Sequence, residues 1–297
     1  MVRTLICICL SGFIWTTSAD ARCRDYVPQP KPQNAGRDLV GADLDSIVER
    51  GYINISAYED FPPWSYEESG EIKGVDIEIG RLIAQALGVR PHFRLVAAGE
   101  NLEADLRNWI LKGPLVGGRV ANVMMHIPYD SEFICRVEQV VFTGQYHVER
   151  IAIAYRHDAY PEDPPVPAYF RYDTVAVEND SISDFYLTSF AGGQMSGNMR
   201  RFPSTRDAMR ALISGETMAA MGPLAQLEFA ASENVGVHTP PMPGFSVGKW
   251  TSGVAVHFAY RALAYTVDDA IYAAMQDGRM ERIFESHGLS YSPPLLR

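Results

Sequence analysis

The sequence has few basic residues and no Lys/Arg-rich run. Its 297 residues contain 26 lysines and arginines against 36 aspartates and glutamates, which gives a formal net charge of −10. A chain of this charge repels phosphate backbones and anionic headgroups, so the composition argues against binding to nucleic acids or membrane surfaces. With 47% hydrophobic and 21% charged residues the chain is ordinary for a globular protein. Its length suggests about two domains.

Several motifs of catalysis and cofactor binding are also missing. The seven histidines show neither H-x-x-x-H nor H-E-x-x-H spacing, and neither G-x-x-x-x-G-K-[ST] nor G-x-G-x-x-G occurs. One G-x-S-x-G surrounds Ser246, but a proline-rich segment precedes it where a nucleophile elbow needs a strand. We therefore predict a protein that is not an enzyme and that carries no cofactor and no metal.

The first residues have the pattern of an export signal. Arg3 precedes the apolar stretch Leu5–Trp15, and Ala19-Asp20-Ala21 has the A-x-A form of a cleavage site. The apolar stretch is shorter than the roughly 20 residues that a membrane span needs. We predict a cleaved signal peptide over residues 1–21 and a periplasmic location, with a retained anchor or a chance apolar start as the alternatives.

Cysteine is scarce, with four residues in the chain, of which Cys7 and Cys9 fall in the predicted signal peptide. Cys23 and Cys135 remain, and in an oxidising compartment they could form one disulfide. Two unpaired thiols are the alternative, because a sequence gives no distance between them.

After a proline-containing segment, interpreted as an extended N-terminal arm (22–43), hydrophobic patterns predict alternating strands and helices. The predicted strands are 52–57, 92–96, 120–127, 151–155, 174–177, 218–221 and 253–258. The predicted helices are 43–51, 75–87, 102–111, 182–190, 204–213, 224–231, 267–275 and 280–287. Strand–helix–strand order predicts a parallel sheet flanked by helices. The same order repeats more loosely later in the chain, which predicts two α/β lobes. One lobe comprises residues 44–149 and 251–297, and the other comprises residues 150–250. The chain crosses between them near residues 150 and 250.

Both ends of this region resemble bacterial extracellular solute-binding proteins of family 3, the polar amino-acid class. The loop Phe61-Pro62-Pro63-Trp64 and the Gly74-Val75-Asp76 that opens a helix are typical of their beginning, and Asp277-Gly278 of their end. The resemblance covers roughly residues 44–290. It implies a type 2 periplasmic-binding-protein fold, with two α/β lobes joined by a two-strand hinge that close on a small ligand. It also implies a monomer that delivers this ligand to an inner-membrane permease.

The charged anchors of the amino-acid binders in this family are absent from their expected positions. The arginine that binds the ligand carboxylate aligns with Phe133, and the aspartate that binds the ligand ammonium aligns with Pro223. A bidentate arginine contact is difficult to replace. We therefore expect a ligand that is not a standard free amino acid and is more apolar or aromatic.

The residues predicted to line the ligand cleft follow predicted strands or hold the positions of the missing anchors. They are Tyr58, Phe61, Trp64, His126, Tyr129, Phe133, Asn179, Asp180, Ser181 and Pro223. For Phe61 and Trp64 the alternative is packing within a lobe, and for His126 it is a structural role. Asp60 and Asp130 are interpreted as solvated carboxylates or helix caps.

Two other functions remain open. Some proteins similar to this family accompany periplasmic quinoprotein alcohol or methanol dehydrogenases, and the N-terminal arm and the loop 160–167 would then contact such a partner. Others resemble cyclohexadienyl dehydratases, which use carboxylates in the cleft, and Glu178, Asp180 and Asp130 are the candidates here.

Overall fold

The computed structural model describes residues 40–116 and 118–295. The predicted signal peptide, most of the predicted N-terminal arm and Cys23 lie outside these residues. The strands are β1 (Tyr52–Tyr58), β2 (Tyr66–Glu68), β3 (Glu71–Lys73), β4 (Arg90–Val96), β5 (Val123–Pro128), β6 (Val140–Arg156), β7 (Val175–Glu178), β8 (Met199–Phe202), β9 (Ala219–Pro223), β10 (Val235–His238) and β11 (Lys249–His257).

The α-helices alternate with these strands. They are α1 (Leu44–Arg50), α2 (Val75–Ala86), α3 (Leu102–Leu106), α4 (Ser131–Arg136), α5 (Ile182–Ser189), α6 (Thr205–Ser214), α7 (Leu224–Ala230), α8 (Arg261–Gln276) and α9 (Arg279–Ser286). A π-helical turn, Arg107–Leu111, continues α3, and Pro167–Arg171 and Phe190–Gly192 form short 3-10 helices. Within the described ranges no helix is both long enough and apolar enough to cross a membrane.

One sheet runs through the molecule in the order β4-β1-β5-β11-β6-β9-β7-β8, and β10 pairs with β6. β1 is parallel to β4 and β5, as the strand–helix alternation predicts, and β7 is likewise parallel to β8 and β9. Between these two parallel groups lie the antiparallel strands β11 and β6. The mixed α/β fold predicted from the sequence is therefore confirmed.

The two antiparallel strands connect the halves of the sheet. β6 is 17 residues long; its beginning pairs with β11, and its end, from Ile151, pairs with β9 and β10. Where β6 passes from one half to the other, Trp250 of β11 lies opposite Glu149. We call the half that holds β4, β1 and β5 the first lobe and the half that holds β9, β7 and β8 the second lobe. The predicted boundaries near residues 150 and 250 coincide with this crossing and stay a prediction.

Each lobe buries apolar side chains on both faces of its part of the sheet. In the first lobe, β1 and β5 pack against α2, α8 and α9 on one face, and against the α3 segment on the other. In the second lobe, the core on one face includes Phe170 and Leu187, and the core on the other includes Met209 and Leu212. Burying each such side chain contributes about 1.5–3 kcal/mol, so both lobes have cores of their own.

Two of the predicted helices, 43–51 and 204–213, begin at side-chain caps. The carboxylate of Asp43 accepts a hydrogen bond from the backbone N–H of Ser46 (2.9 Å) and caps α1, which ends at Gly51 with a φ of 75°. Ser204 caps α6 through the N–H of Asp207. An aspartate or serine cap satisfies a backbone donor that the first helical turn leaves unpaired.

Candidate functional site

A cavity of about 690 Å³ lies between the two lobes. The first lobe contributes the loop after β1, with Asp60, Phe61 and Pro62, and the second lobe contributes the remaining wall together with Trp250 of the crossing strand. Small-molecule sites usually occupy roughly 300–1,000 Å³, so the space suits a ligand of that class.

The cavity is built at the carboxyl ends of parallel strands. β1 ends at Tyr58, just before the loop of the first lobe, and β7 and β9 end at Glu178 and Pro223, which both line the cavity. In open α/β sheets the loops at these strand ends form the crevice where ligands bind. The topology thus brings segments that are distant in sequence to one place.

Aromatic and aliphatic side chains form much of the wall. Phe61, Phe229 and Trp250 line the cavity together with Ile151 and Ile182. Apolar walls with a few convergent polar groups are typical of sites for small organic ligands, because burial of apolar surface supplies affinity and the polar groups supply orientation.

Two helices begin at the cavity. Ser181 caps α5 by accepting the N–H of Asp184 (3.2 Å), and Ser204 caps α6 in the same way. Ser183, in the first turn of α5, also lines the cavity; it is 1% exposed. Its hydroxyl oxygen has no hydrogen-bond partner among the described residues. A buried hydroxyl without a partner is unfavourable, and a ligand polar group would satisfy it.

The cavity wall carries two ion pairs. Nη2 of Arg206, in α6, lies 2.8 Å from Oδ1 of Asp60, so this pair joins the second lobe to the first. Arg210 pairs with Asp207 one helical turn away in the same helix. Both guanidinium groups on the wall therefore have a carboxylate partner.

Two further carboxylates line the cavity, and neither forms an ion pair with any residue that the structure describes. Oε2 of Glu178 accepts hydrogen bonds from the backbone N–H (2.9 Å) and the hydroxyl (2.7 Å) of Thr205. Asp180 is exposed, has a φ of 58°, and accepts a hydrogen bond from the side-chain amide of Asn179 (2.7 Å). Aspartate tolerates this left-handed backbone better than most residues.

Four of the residues predicted for the ligand cleft line this cavity: Phe61, Asp180, Ser181 and Pro223. Asn179 is exposed beside Asp180 and is not part of the wall. The cavity thus contains predicted residues from both lobes, and their contact with a ligand stays a prediction.

Trp64 and His126 do not line this cavity, and the structure corrects that prediction. Trp64 is 1% exposed in the core of the first lobe, and its ring centroid lies 4.4 Å from that of His126. Nδ1 of His126 is 3.2 Å from the hydroxyl of Tyr146 and 3.3 Å from Oδ2 of Asp76. The structure therefore agrees with the alternatives given in the sequence analysis. Trp64 packs within the first lobe, and His126 has a structural role in a buried polar network.

The Gly-x-Asp segment explains why Trp64 turns inward. The backbone N–H of Asp76 donates to the carbonyl of Trp64 (2.9 Å), and the N–H of Val75 donates to that of Pro63 (3.0 Å). Gly74 has a φ of 121°, and a Cβ there would lie 2.2 Å from the carbonyl oxygen of Trp64. Only glycine allows this approach, which fixes the aromatic loop against the start of α2.

Three other predicted residues also lie away from the cavity wall. Tyr58 donates a hydrogen bond to Asp105 (2.9 Å), and burial together with this carboxylate raises the pKa of Tyr58 well above its usual value. Phe133 is 8% exposed and packs edge-on against Phe142 in the core. Tyr129 lines a separate cavity of about 470 Å³ in the first lobe. The residues that follow β5, Tyr129 and Phe133, therefore pack within the first lobe and do not line the cavity between the lobes.

The three carboxylates that are candidates for an enzymatic function do not all lie at the cavity. Glu178 and Asp180 share the cavity, whereas Asp130 is not on its wall. Asp130 caps α4 by accepting the backbone N–H of Phe133 (2.7 Å), as the helix-cap interpretation predicts. Asp60 is a solvated carboxylate that is also ion-paired with Arg206.

Sequence reasoning missed several residues of the wall, notably Thr205, Arg206, Gln226 and Trp250. A signal for two of them was present, because Ser204 predicts the start of a helix after a strand. The first residues of such a helix face the carboxyl edge of a parallel sheet, and these are Thr205 and Arg206. No local pattern marks Trp250, which reaches the cavity from the crossing strand.

Buried polar groups gather where the strands cross. His147 and Ser252 lie opposite each other on β6 and β11, and both are almost completely buried. Burial, with smaller contributions from His126 and Arg150, lowers the pKa of His147 to about 3. Burial also raises the pKa of Glu149 to about 7. Desolvation disfavours the charged form of each group, so the signs are opposite for the base and the acid.

Cys135 is disulfide-bonded. Its predicted partner, Cys23, lies outside the described residues, so the pairing itself stays a prediction. Within residues 40–116 and 118–295, no cluster of three or more histidine, cysteine or carboxylate side chains could hold a metal ion.

Comparison with known proteins agrees with this architecture. Residues 53–108 match the family model of bacterial extracellular solute-binding proteins, family 3. No curated protein sequence matches the chain. The matched segment contains the aromatic loop and the Gly-x-Asp on which the sequence-based resemblance rests, and that resemblance is confirmed.

Solved structures share the fold over most of the chain. An ancestral cationic amino acid solute-binding protein is 19% identical, with a TM-score of 0.67, and the match covers 82% of this chain and 99% of that chain. The solute receptor for L-cysteine of Neisseria gonorrhoeae is 21% identical, with a TM-score of 0.56 and coverage of 83% and 93%. An amino acid ABC transporter substrate-binding protein from Streptococcus pneumoniae, bound to L-arginine, is 16% identical, with a TM-score of 0.58 and coverage of 85% and 100%.

These structural matches establish the fold, which is the two-lobed type 2 periplasmic-binding-protein fold predicted from the sequence. The matched proteins are binding proteins, and the ancestral protein is also described as a precursor of cyclohexadienyl dehydratase.

Proposed function

We propose that this chain, a two-lobed protein resembling family 3 extracellular solute-binding proteins, is the periplasmic substrate-binding component of an ABC-type importer. The observation that supports this function is the cavity between the lobes, to which Phe61 contributes from one side and Pro223 and Arg206 from the other. A ligand that contacts both walls stabilises the closed arrangement, because those contacts are complete only when the lobes meet. An inner-membrane permease would then receive the ligand.

The proposed ligand is a small molecule more apolar or aromatic than a free amino acid. Phe61, Phe229 and Trp250 supply aromatic surface, while Phe133 and Pro223 stand where amino-acid binders have their charged anchors. Aromatic side chains bury large areas and accept stacked or edge-on rings. A zwitterion would lack its usual partners at both of those positions.

Thermal unfolding of the mature chain in the presence of candidate ligands tests this function. The panel contains amino acids, aromatic acids, aromatic amines, lipids and sugars. A ligand present at 100 times its Kd stabilises the folded state by about 2.7 kcal/mol, which is a measurable rise in Tm. Phe61→Ala should remove the rise. Phe258→Ala is the matched control, because Phe258 is exposed and is not part of the cavity wall. Absence of any rise across the panel would contradict ligand binding.

The accessory role beside a periplasmic quinoprotein dehydrogenase is the second candidate. Its support is a pair of exposed tyrosines next to the loop 160–167, namely Tyr169 (43% exposed) and Tyr172 (78% exposed). Aromatic side chains of this kind are enriched at protein interfaces. Co-purification of the tagged chain with such a dehydrogenase, lost in Tyr172→Ala and accompanied by no Tm rise with small molecules, would favour this role over import.

A further inference from the structure

The charges on the wall of the interlobe cavity do not balance. Four carboxylates line it, and the two guanidinium groups of Arg206 and Arg210 are paired with Asp60 and Asp207. Glu178 and Asp180 remain as carboxylates without a cation on this wall. Arg201, which lies near Asp180, is held by the carboxylate of Asp184 through both Nε and Nη2.

Each of these two carboxylates also keeps an oxygen for another donor. Glu178 uses Oε2 for its two hydrogen bonds to Thr205, and Asp180 uses Oδ2 for the amide of Asn179. Among the described residues, no hydrogen bond involves Oε1 of Glu178 or Oδ1 of Asp180. A ligand with N–H donors would bind to such oxygens without displacing a protein group.

The rest of the wall suits the same ligand. Phe61 and Trp250 present aromatic rings, whose faces attract cations. The buried hydroxyl of Ser183 lacks a partner and can accept a hydrogen bond from a ligand. The net charge of the chain, −10, also favours the approach of a cation over that of an anion.

We propose that the cavity binds an organic cation, namely a protonated amine held by Glu178 and Asp180 on an aromatic or apolar body that packs against Phe61 and Trp250. This inference rests on the proposed ligand-binding function and specifies its ligand class. The same charges disfavour a ligand carboxylate. Glu178 and Asp180 would repel it, and it could bind Arg206 only by separating Arg206 from Asp60. The site thus prefers an amine to the corresponding amino acid.

Four compounds with the same ring test this preference: 2-phenylethylamine, 2-phenylethanol, 3-phenylpropanoate and phenylalanine. Isothermal titration calorimetry of the mature chain gives their affinities at low and high salt. The amine should bind about tenfold or more tightly than the alcohol, which is the expected effect of a charge-assisted hydrogen bond. High salt should reduce this advantage, and the carboxylate and the amino acid should bind more weakly than the amine.

Two variants locate the charge. Glu178→Gln keeps an acceptor for Thr205, and Asp180→Asn suits the left-handed backbone at that position, so both should fold with an unchanged Tm. Each should lower the affinity for 2-phenylethylamine about tenfold and leave that for 2-phenylethanol unchanged. Glu103→Gln is the matched control, because it removes one exposed carboxylate that is not on the cavity wall, and it should change neither affinity.

Equal affinity for the amine and the alcohol, or tighter binding of 3-phenylpropanoate, would overturn the inference while leaving the proposed function intact. Failure of the amine to bind at millimolar concentration would overturn it as well. The ligand-binding function itself fails only if, in addition, no compound of the broad thermal panel raises the Tm.

Discussion

Nη2 of Arg206 and Oδ1 of Asp60 lie 2.8 Å apart on the wall of the interlobe cavity, and they belong to opposite lobes. Their side chains are 44% and 81% exposed, so water and salt weaken the attraction between them. The pair therefore links the two lobes only weakly. If the proposed ligand contacts both lobes, we expect its contacts, rather than this ion pair, to supply most of the free energy of closure.

Removal of either Asp60 or Arg206 should change the free energy of unfolding only slightly. We expect a double-mutant cycle with Asp60→Asn and Arg206→Gln to give a coupling free energy of about 0.2–1 kcal/mol in low salt, falling towards zero in high salt. Urea unfolding of the four proteins provides the measurement. A coupling that high salt leaves unchanged would contradict a solvent-exposed pair.

Phe61 and Trp64 should respond differently to truncation, although only two residues lie between them. Trp64→Ala should lower the free energy of unfolding by about 3–5 kcal/mol, because it empties a buried site in the first lobe. Phe61→Ala should lower it less and should instead weaken ligand binding, since Phe61 lies on the cavity wall. Denaturant unfolding and ligand titration of both variants separate the effects. Loss of binding in Trp64→Ala with unchanged stability would reverse the assignment.

Glu149 should make the folded state less stable as the pH rises towards neutrality. Its pKa is raised by burial from 4.5 to about 7, so between these values the folded protein keeps a proton that the unfolded chain has released. The contribution is complete below about pH 4.5 and is lost as the pH rises through 7; its size is on the order of 3 kcal/mol. In Glu149→Gln this loss should be absent. Unfolding measured from pH 5 to 8 checks it, and a variant with the wild-type profile would exclude Glu149 as the cause.

His147 has the opposite effect on how the stability of the folded state changes with pH. Its pKa is lowered from 6.5 to about 3, so its stabilisation is complete above 6.5 and is lost as the pH falls. Between pH 4.5 and 6.5 the two groups therefore oppose each other, and the decline caused by Glu149 should be clearest from pH 6.5 to 8. Glu149→Gln should show a stability that rises up to about pH 6.5 and then stays level. A continued decline above that pH in this variant would point to another titrating group.

The disulfide of Cys135 should stabilise the protein. Cys135→Ser should lower the free energy of unfolding by about 2–4 kcal/mol. If Cys23 is the partner, Cys23→Ser should cause the same loss, and the double variant should lose no more than either single variant. Peptide mapping without reductant identifies the linked cysteines. A normal stability of Cys23→Ser would show that the predicted pairing is wrong.

Much of the fold follows from local sequence patterns. The strand at residues 52–57 and the helix that starts at Val75 alternate or repeat with clear periods, and the cap at Asp43 marks a helix start that the structure confirms. The length of β6 does not follow in this way. Gly144, His147 and Glu149 interrupt its apolar pattern, and these positions are buried only because both lobes and β11 pack around the crossing.

The candidate site was less predictable than the fold. Position after a strand end marked Phe61, Asp180 and Ser181, which all line the cavity because topology alone brings such loops to one edge. It could not distinguish a loop residue that faces the cavity from one that turns inward, as Trp64 does to meet the backbone of α2. The contribution of Arg206 depends on the approach of the other lobe, which no local pattern encodes.

The position of β11 has a consequence for biogenesis. This strand is near the end of the chain, yet it lies in the sheet between β5 and β6 and pairs with both. A nascent polypeptide therefore exposes the edges of those two strands until its last part is synthesised. The segment from Ile151 to His238 contains β7–β10, so it can complete its hydrogen bonds earlier. Exposed strand edges favour aggregation, and we expect this chain to depend on chaperones most before its last residues are available to form β11.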